Sequence, residues 1–255
     1  MPISPQTPKD KNMAEEKAVS DICPPFALDE RLALCASLVR EGTALADIGT
    51  DHAKLPVWLA KMSRIKTALA CDIRTGPLKN AEENIEKYGA GGTVKACLSD
   101  GLKNVPPDMA WDIVIAGMGG ELITSIIRST QWLRDGRRRL ILQPMTHAEL
   151  LRVFLCENGF EIVTERACAC GRRPYTVMLC RYDGTKRGCV GVFKYIGGLC
   201  GDNSEPSLMY QRKISKQLRK KLSGLDERSG ESEEARAVIR QLEEGLSNDD
   251  SIADL

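Results

Sequence analysis

From Leu28 to Tyr182 the chain alternates helix-like and strand-like runs, and that alternation limits the folds open to it more than any other feature. A helical "LDERLALCASLV" leads into the apolar "TALADI" (43–48), and a second helical stretch (53–63) feeds "TALACDI" (67–73). The rhythm continues through a helix over 75–88, strands at 93–98 and 111–117, a helix from Gly119 to Trp132, a strand at 138–144 and a helix over 147–158. Short apolar runs separated by amphipathic segments are the mark of β/α units on a parallel sheet. Strands "FEIVTERA" (160–167) and "YTVMLCRY" (175–182) follow with no helix between them, so they should pair antiparallel at the sheet edge. The pattern predicts an α/β, doubly wound sheet whose last strand is antiparallel.

A Gly-rich passage at 184–206 separates this unit from two amphipathic helical patterns. Leu208, Ile214, Leu218, Leu222 and Leu225 mark the first, and Ala235, Val238, Ile239, Leu242 and Leu246 the second. With "GLDERSGES" as the turn they predict an antiparallel, coiled-coil-like helical hairpin. Three parts result: a polar leader over 1–25, expected to be disordered, an α/β domain over 26–183, and a linker with the hairpin over 184–255.

A net charge of +1 conceals a strong asymmetry. The segment 207–223 carries Arg212, Lys213, Lys216, Arg219, Lys220 and Lys221 with no acid, whereas 229–255 is acidic. The basic stretch reads as a nucleic-acid footprint or, more plainly, as a solvated helix face paired with its acidic neighbour. No run approaches the roughly 18 apolar residues of a membrane span, and the N-terminal stretch lacks the apolar centre of a signal peptide, so a cytoplasmic protein is expected. The ten cysteines fall within predicted strands and helices and read as small buried hydrophobes. Cys168 and Cys170 form CxC with no second ligand pair, so no metal site is expected.

Ligands of an open α/β sheet bind beyond the carboxyl ends of its strands, which singles out four loops. The first is "DIGTDH" (47–52), where only Gly49 fits the GxGxxG that a dinucleotide pyrophosphate needs. Acids near this loop suit S-adenosylmethionine, which carries an amino acid, a sulfonium cation, a ribose and an adenine but no phosphate. Asp51 is also of the type that caps the helix after it. In the second loop Asp72 stands about 20 residues further on, where a carboxylate accepts from ribose hydroxyls. The third, "LSDGL", offers Asp100 and Gly101, and the fourth, "IAGMGG" (115–120), has glycines that let backbone pass close to a ligand. No Asn- or Asp-Pro-Pro-aromatic motif follows that strand, which argues against methylation of an exocyclic amine.

Taken together, "LADIGTDHAKLP", "CDIRTGPLKNAEENIEKYG", "LSDGL", "DIVIAGMGG" and "LILQPM" resemble the bacterial tRNA (adenine(22)-N1)-methyltransferases over residues 28–182, with a looser match of the helical tail through "YIGG" and the following basic helix. The resemblance implies a Rossmann-like class I methyltransferase domain with a C-terminal coiled-coil domain. By position it assigns Asp47, Gly49, Thr50, Asp51 and His52 to the first cofactor motif, and Asp72 and Ile73 to the ribose region. Asp100 and Gly101 fall in the adenine region, and Ala116, Gly117, Met118 and Gly119 form the floor between cofactor and target base. Gln143, Pro144 and Tyr175 line the far side. Where the family has an acidic, Gly/Lys-containing turn before the last strand, this chain has "ACACGRRPY".

Transfer to adenine N1 uses the ring nitrogen's own lone pair, so positioning supplies much of the catalysis, and the product base is cationic. Asp51, with His52 second, is the expected carboxylate and imidazole beside that charge. Basic surface at Arg138, Arg172, Lys213, Lys216 and Lys220, flanked by Arg137, Arg139 and Arg173, is the expected tRNA footprint. The expected partner is tRNA, with no membrane or metal, and the expected state is a monomer. Competing readings are a methyltransferase acting on another RNA or a small molecule, a non-catalytic RNA-binding scaffold and, for want of glycines, a distant NAD-dependent oxidoreductase.

Overall fold

The computed structural model describes residues 23–224, 226 and 229–250, so the expected leader through residue 22, the apolar position Leu225 and the side chain of Leu246 lie outside the described part. Helix α1 (Glu30–Leu38) starts at Asp29, whose carboxylate accepts from the N–H groups of Arg31 and Leu32, both at 3.0 Å. Such a cap is worth about 1 kcal/mol. Strand β1 (Thr43–Ile48) is buried almost throughout, as befits the centre of a parallel sheet covered on both faces. Then come α2 (Lys54–Lys61), β2 (Ile65–Asp72), α3 (Thr75–Lys87), β3 (Val94–Leu98), β4 (Asp112–Gly119) and α4 (Gly120–Ser129). The sheet continues with β5 (Arg139–Thr146), α5 (Ala148–Glu157), β6 (Phe160–Cys170) and β7 (Arg173–Tyr182).

The seven strands lie in the order β3-β2-β1-β4-β5-β7-β6, with β7 antiparallel to both its neighbours. From β1 the chain winds outward to β2 and β3, then returns to β4 on the other side of β1. Strand order therefore reverses between β1 and β4, and the crevice beyond their carboxyl ends is where such a sheet holds a ligand. One face packs Ile113, Ile115, Leu140, Leu142 and Phe160 under α4 and α5. The other packs Leu45, Leu55, Leu59, Val114 and Ile141 under α1 to α3.

The stretch 184–206 departs from the linker expected of its glycines, because it folds into α6 (Gly191–Ile196), packed against α5, and a short turn of 3₁₀-helix docked on β6. The joint is a buried ion pair. Arg152 of α5 meets Glu165 of β6 at 2.6 Å with both side chains fully buried, and it also donates to the carbonyls of Lys194 and Tyr195. Gly198 N–H donates to the same carboxylate at 3.2 Å. A Cβ on Gly197, whose φ is +59°, would sit 1.8 Å from Glu165 Oε2, so the "YIGG" glycine is there to let backbone approach a carboxylate.

Helices α7 (Glu205–Leu222) and α8 (Gly230–Asp250) form the expected hairpin. They share a third core of Tyr195, Ile196, Tyr210, Ile214, Leu218, Val238 and Leu242. They run antiparallel: Lys221 near the end of α7 pairs with Glu231 near the start of α8, while Ser215, earlier in α7, donates to Glu243 at 3.1 Å.

Candidate active site

The first loop leaves β1 by a sharp turn. Gly49 and Thr50 both donate their N–H to the Cys71 carbonyl at 2.8 Å, and Gly49 has a φ of +75°. A Cβ there would lie 2.1 Å from Met118 Cε, which ties the β1 and β4 loops together. His52 and Ala53 follow with φ of 96° and 50°, a consecutive pair of non-glycine residues in the left-handed region. Each such residue costs on the order of 1–3 kcal/mol, and such strain gathers at functional sites. Asn84 of α3 holds the turn by donating to the His52 carbonyl at 2.9 Å. Asp51 does not cap α2: the cap position is Ala53, with no side-chain bond, and the Asp51 side chain is 80% exposed.

Beneath this turn, Asp47 is buried and accepts the Thr50 hydroxyl at 2.6 Å. Burial pushes its carboxyl up to about 6, against the opposing pull of that hydrogen bond. A buried acid with one hydroxyl partner is a ready counter-charge for an ammonium group.

The β4 loop forms the opposite wall. Ala116 stands opposite Gln143 and Met118 opposite Pro144, so Gly117 is an extra residue bulged out of the ladder, with a φ of +77°. The buried Gln143 side chain accepts the Gly117 N–H at 3.0 Å and donates to the Pro144 carbonyl at 3.0 Å. Gln143 thus supports the floor from below.

Between these walls lies a cavity of about 300 Å³ lined by Asp47, Gly49, Thr50, Asp51, Ala116 and Gly117, all singled out in the sequence. His52 does not line it; its Nε2 lies 3.6 Å from Asp51 Oδ1. Asp72 and Asp100 stand outside the cavity wall, Asp72 as the last residue of β2 and Asp100 just beyond the carboxyl end of the adjacent β3. Asp72 is buried and accepts from the Arg74 N–H at 2.8 Å, next to the exposed Ile73, whereas Asp100 is ion-paired with Lys103 beside Gly101.

Sequence reasoning missed Asp29 and Arg31, which close the cavity from α1. The Arg31 guanidinium pairs with Asp29 at 2.9 Å, yet its buried Nε has no partner. It lies 5.3 Å from the Tyr175 ring centre and donates to Met145 Sδ at 3.4 Å. The only local signal was the capping Asp29, because packing of α1 on β5 to β7 is what brings Arg31 to the site.

The expected footprint divides in two. Arg172, Lys213, Lys216 and Lys220 line one groove between the tip of the β6–β7 hairpin and α7. Arg138 does not join them. It lies just before β5, at the opposite, amino-terminal end of that strand, is buried, donates to the carbonyls of Pro107 and Ala110, and stacks between Trp111 and Trp132 at 4.7 and 4.8 Å. Its role is to close the bottom of the sheet. The charged neighbours on α7 also separate: Arg219 and Lys221 are neutralised by Glu243 and Glu231 of α8, while no ion pair involves Lys213, Lys216 or Lys220 among the described residues.

A family model described as a methyltransferase domain matches residues 28–178. The chain belongs to the methyltransferase domain family. Its matched region contains all four ligand loops and ends inside β7, before the helical hairpin. A Bacillus subtilis (strain 168) protein named tRNA (adenine(22)-N(1))-methyltransferase is 36% identical over 138 residues, 54% of this chain and 58% of that one. The match therefore spans little more than half the length of that curated relative. Among solved structures, Streptococcus pneumoniae Sp1610 in complex with S-adenosyl-L-methionine is 30% identical with a TM-score of 0.73, covering 85% of this methyltransferase-domain chain and 98% of that one. The Bacillus subtilis M1A22 tRNA methyltransferase is 26% identical with a TM-score of 0.72, covering 86% and 99%. Both likenesses extend past the family model into the helical hairpin.

Proposed function

We infer that the protein transfers a methyl group from S-adenosylmethionine to N1 of an adenine in tRNA, of the position-22 type. The observation that carries this reading is the cavity at the β1–β4 switch point, which joins a buried acid, an unpartnered guanidinium nitrogen and an exposed carboxylate at its mouth. The donor set fits the cofactor group by group. Arg31 would hold its carboxylate, Asp47 its ammonium group, Asp72 its ribose hydroxyls, and Asp100 its adenine amino group after release from Lys103. The loop lacks the glycines that let backbone cradle a pyrophosphate, which disfavours a dinucleotide.

When bound, S-adenosylmethionine supplies an electrophilic methyl on a sulfonium centre. The protein's residues supply the rest. The bulge at Gly117, held by Gln143, fixes the floor on which a base would lie, and positioning lowers the barrier for a lone-pair attack. Asp51 is the catalytic carboxylate, offsetting positive charge as it develops on the ring or taking the proton from the acidified exocyclic amine. His52 shapes the turn that presents Asp51. Lys213, Lys216, Lys220 and Arg172 attract tRNA phosphates. The working form is a cytoplasmic monomer needing neither metal nor membrane; no helix of the described residues is long and apolar enough to cross a membrane.

The test is incubation of the full chain with methyl-labelled cofactor and separate pools of unmodified tRNA, other cellular RNA and small metabolites. Label entering the tRNA pool alone is the expected result. Label in another pool would assign the acceptor there, and cofactor binding with no transfer would mark a scaffold.

A further inference from the structure

The groove beside α7 has more than charge. It encloses about 760 Å³, and its floor is apolar: Met145, Pro174, Tyr175 and Met209. Its rim is cationic, with Arg172, Arg173, Arg212, Lys216 and Lys220, and no carboxylate lines it. A surface that only tracks phosphates has no need of an apolar floor. An apolar floor under a cationic rim is what an unstacked nucleotide requires, its base below and its phosphates above.

Three further observations favour a nucleotide over an acidic protein segment. The groove adjoins the catalytic cavity across Arg31, which lines the cavity while touching Met145 and lying over Tyr175, which both line the groove. Tyr175 is covered by Arg31 and by Lys213, at 5.3 and 5.5 Å, so the rest of the groove's apolar lining is Met145, Pro174 and Met209, and thioethers pack well on flat rings. Lys213 sits half-buried at the junction, donating to the Pro174 carbonyl at 3.2 Å with no carboxylate paired to it among the described residues, and burial pulls its ammonium below the usual lysine range. A desolvated cation of this kind gains most from an incoming phosphate.

We propose that this groove holds the base of an unpaired nucleotide neighbouring the target adenosine in the same RNA, on a floor of Met145, Pro174 and Met209, with its phosphates at the cationic rim. The protein then grips two unstacked bases, one at the floor of Gly117 and one here, and so recognises a locally opened RNA rather than a single flipped base. The proposal rests on the tRNA reading above.

The experiment pairs Met209→Ala with tRNA transcripts carrying one abasic nucleotide at each position flanking the target. Methyl transfer and cofactor affinity are measured on the full chain. On intact tRNA, Met209→Ala should lower kcat/KM about fivefold to tenfold, the upper scale of a thioether packed on a flat ring, with cofactor affinity and melting temperature unchanged and Met209→Leu restoring most of the loss. On one abasic transcript the Met209→Ala loss should vanish, because the base that met the side chain is already gone. Normal transfer with less than a twofold effect, or a loss that persists on every abasic transcript, overturns the nucleotide groove alone and leaves an acidic protein partner as its occupant. No transfer by the unaltered chain to any tRNA overturns the tRNA reading and this proposal with it.

Discussion

Gln143 completes a hydrogen-bond ladder that Gly117 interrupts: the bulge at Gly117 removes its N–H from the β4–β5 pairing, and the Gln143 carboxamide accepts it at 3.0 Å. The residue that shapes the floor is thus held by a side chain from the adjacent strand. Gln143→Leu keeps the volume and removes both bonds. It should cost about 1–2 kcal/mol of stability, since Gly117 is partly open to water. The loss in kcat should exceed the change in cofactor affinity, because the floor shifts rather than disappears. Thermal melts and steady-state kinetics check the pair; an unchanged kcat would make the bond a matter of stability alone.

Asp47 predicts an opposition between stability and binding. Its carboxyl is raised to about 6, so between the ordinary value near 3.8 and 6 the folded chain holds a proton that the unfolded chain has released. Stability of the cofactor-free protein therefore falls as pH rises through this window, and the deficit is complete above it. At 1.36 kcal/mol per unit it approaches 3 kcal/mol at most. Asp47→Asn should accordingly raise the melting temperature of the free protein at pH 8, with little gain at pH 4. The same change should weaken cofactor binding at pH 8. In the unaltered protein, an ammonium group beside Asp47 would draw the proton off, so cofactor affinity should rise with pH across 5 to 7. Calorimetry in buffers of different ionisation enthalpy would register the released proton.

Asp51 faces solvent at the cavity mouth, with 80% of its side chain exposed, and so can be altered without disturbing the fold. Asp51→Asn should lower kcat on the order of a hundredfold with saturating cofactor and tRNA, and leave melting temperature and cofactor affinity close to those of the parent. Near-normal turnover would mean that positioning alone drives the transfer.

Arg152 and Glu165 join the α/β unit to the helical hairpin. Glu165→Ala leaves a buried guanidinium without its counter-charge and should cost about 3–5 kcal/mol. Replacing both, as Arg152→Met with Glu165→Leu, should recover a large part of that. Denaturant unfolding of the two variants, with limited proteolysis near residue 190, distinguishes a broken joint from a merely less polar one. Equal losses in both variants would contradict the account.

These residues also mark what the sequence could and could not disclose. The β/α rhythm, the antiparallel ending and the loops at Asp47, Asp72, Asp100 and Gly117 were legible because strand burial and turn chemistry are written in adjacent residues. Arg31 was not, because a helix residue far from the loops reaches the cavity only through packing. The run Arg137–Arg138–Arg139 read as basic surface, but two tryptophans and two carbonyls enclose its middle member. The glycines of 184–206 suggested a linker. For Gly197 and Gly198 the need is set by Glu165, which lies some thirty residues earlier, a dependence no local pattern records.

The most direct measurement follows the methyl group to its atom. An unmodified tRNA transcript with adenine at position 22, and a twin with guanine there, are each incubated with the protein and methyl-labelled S-adenosylmethionine, then digested to nucleosides. The account predicts label in 1-methyladenosine from the first transcript and none from the second. Label in another nucleoside, or equal label in both transcripts, would contradict it.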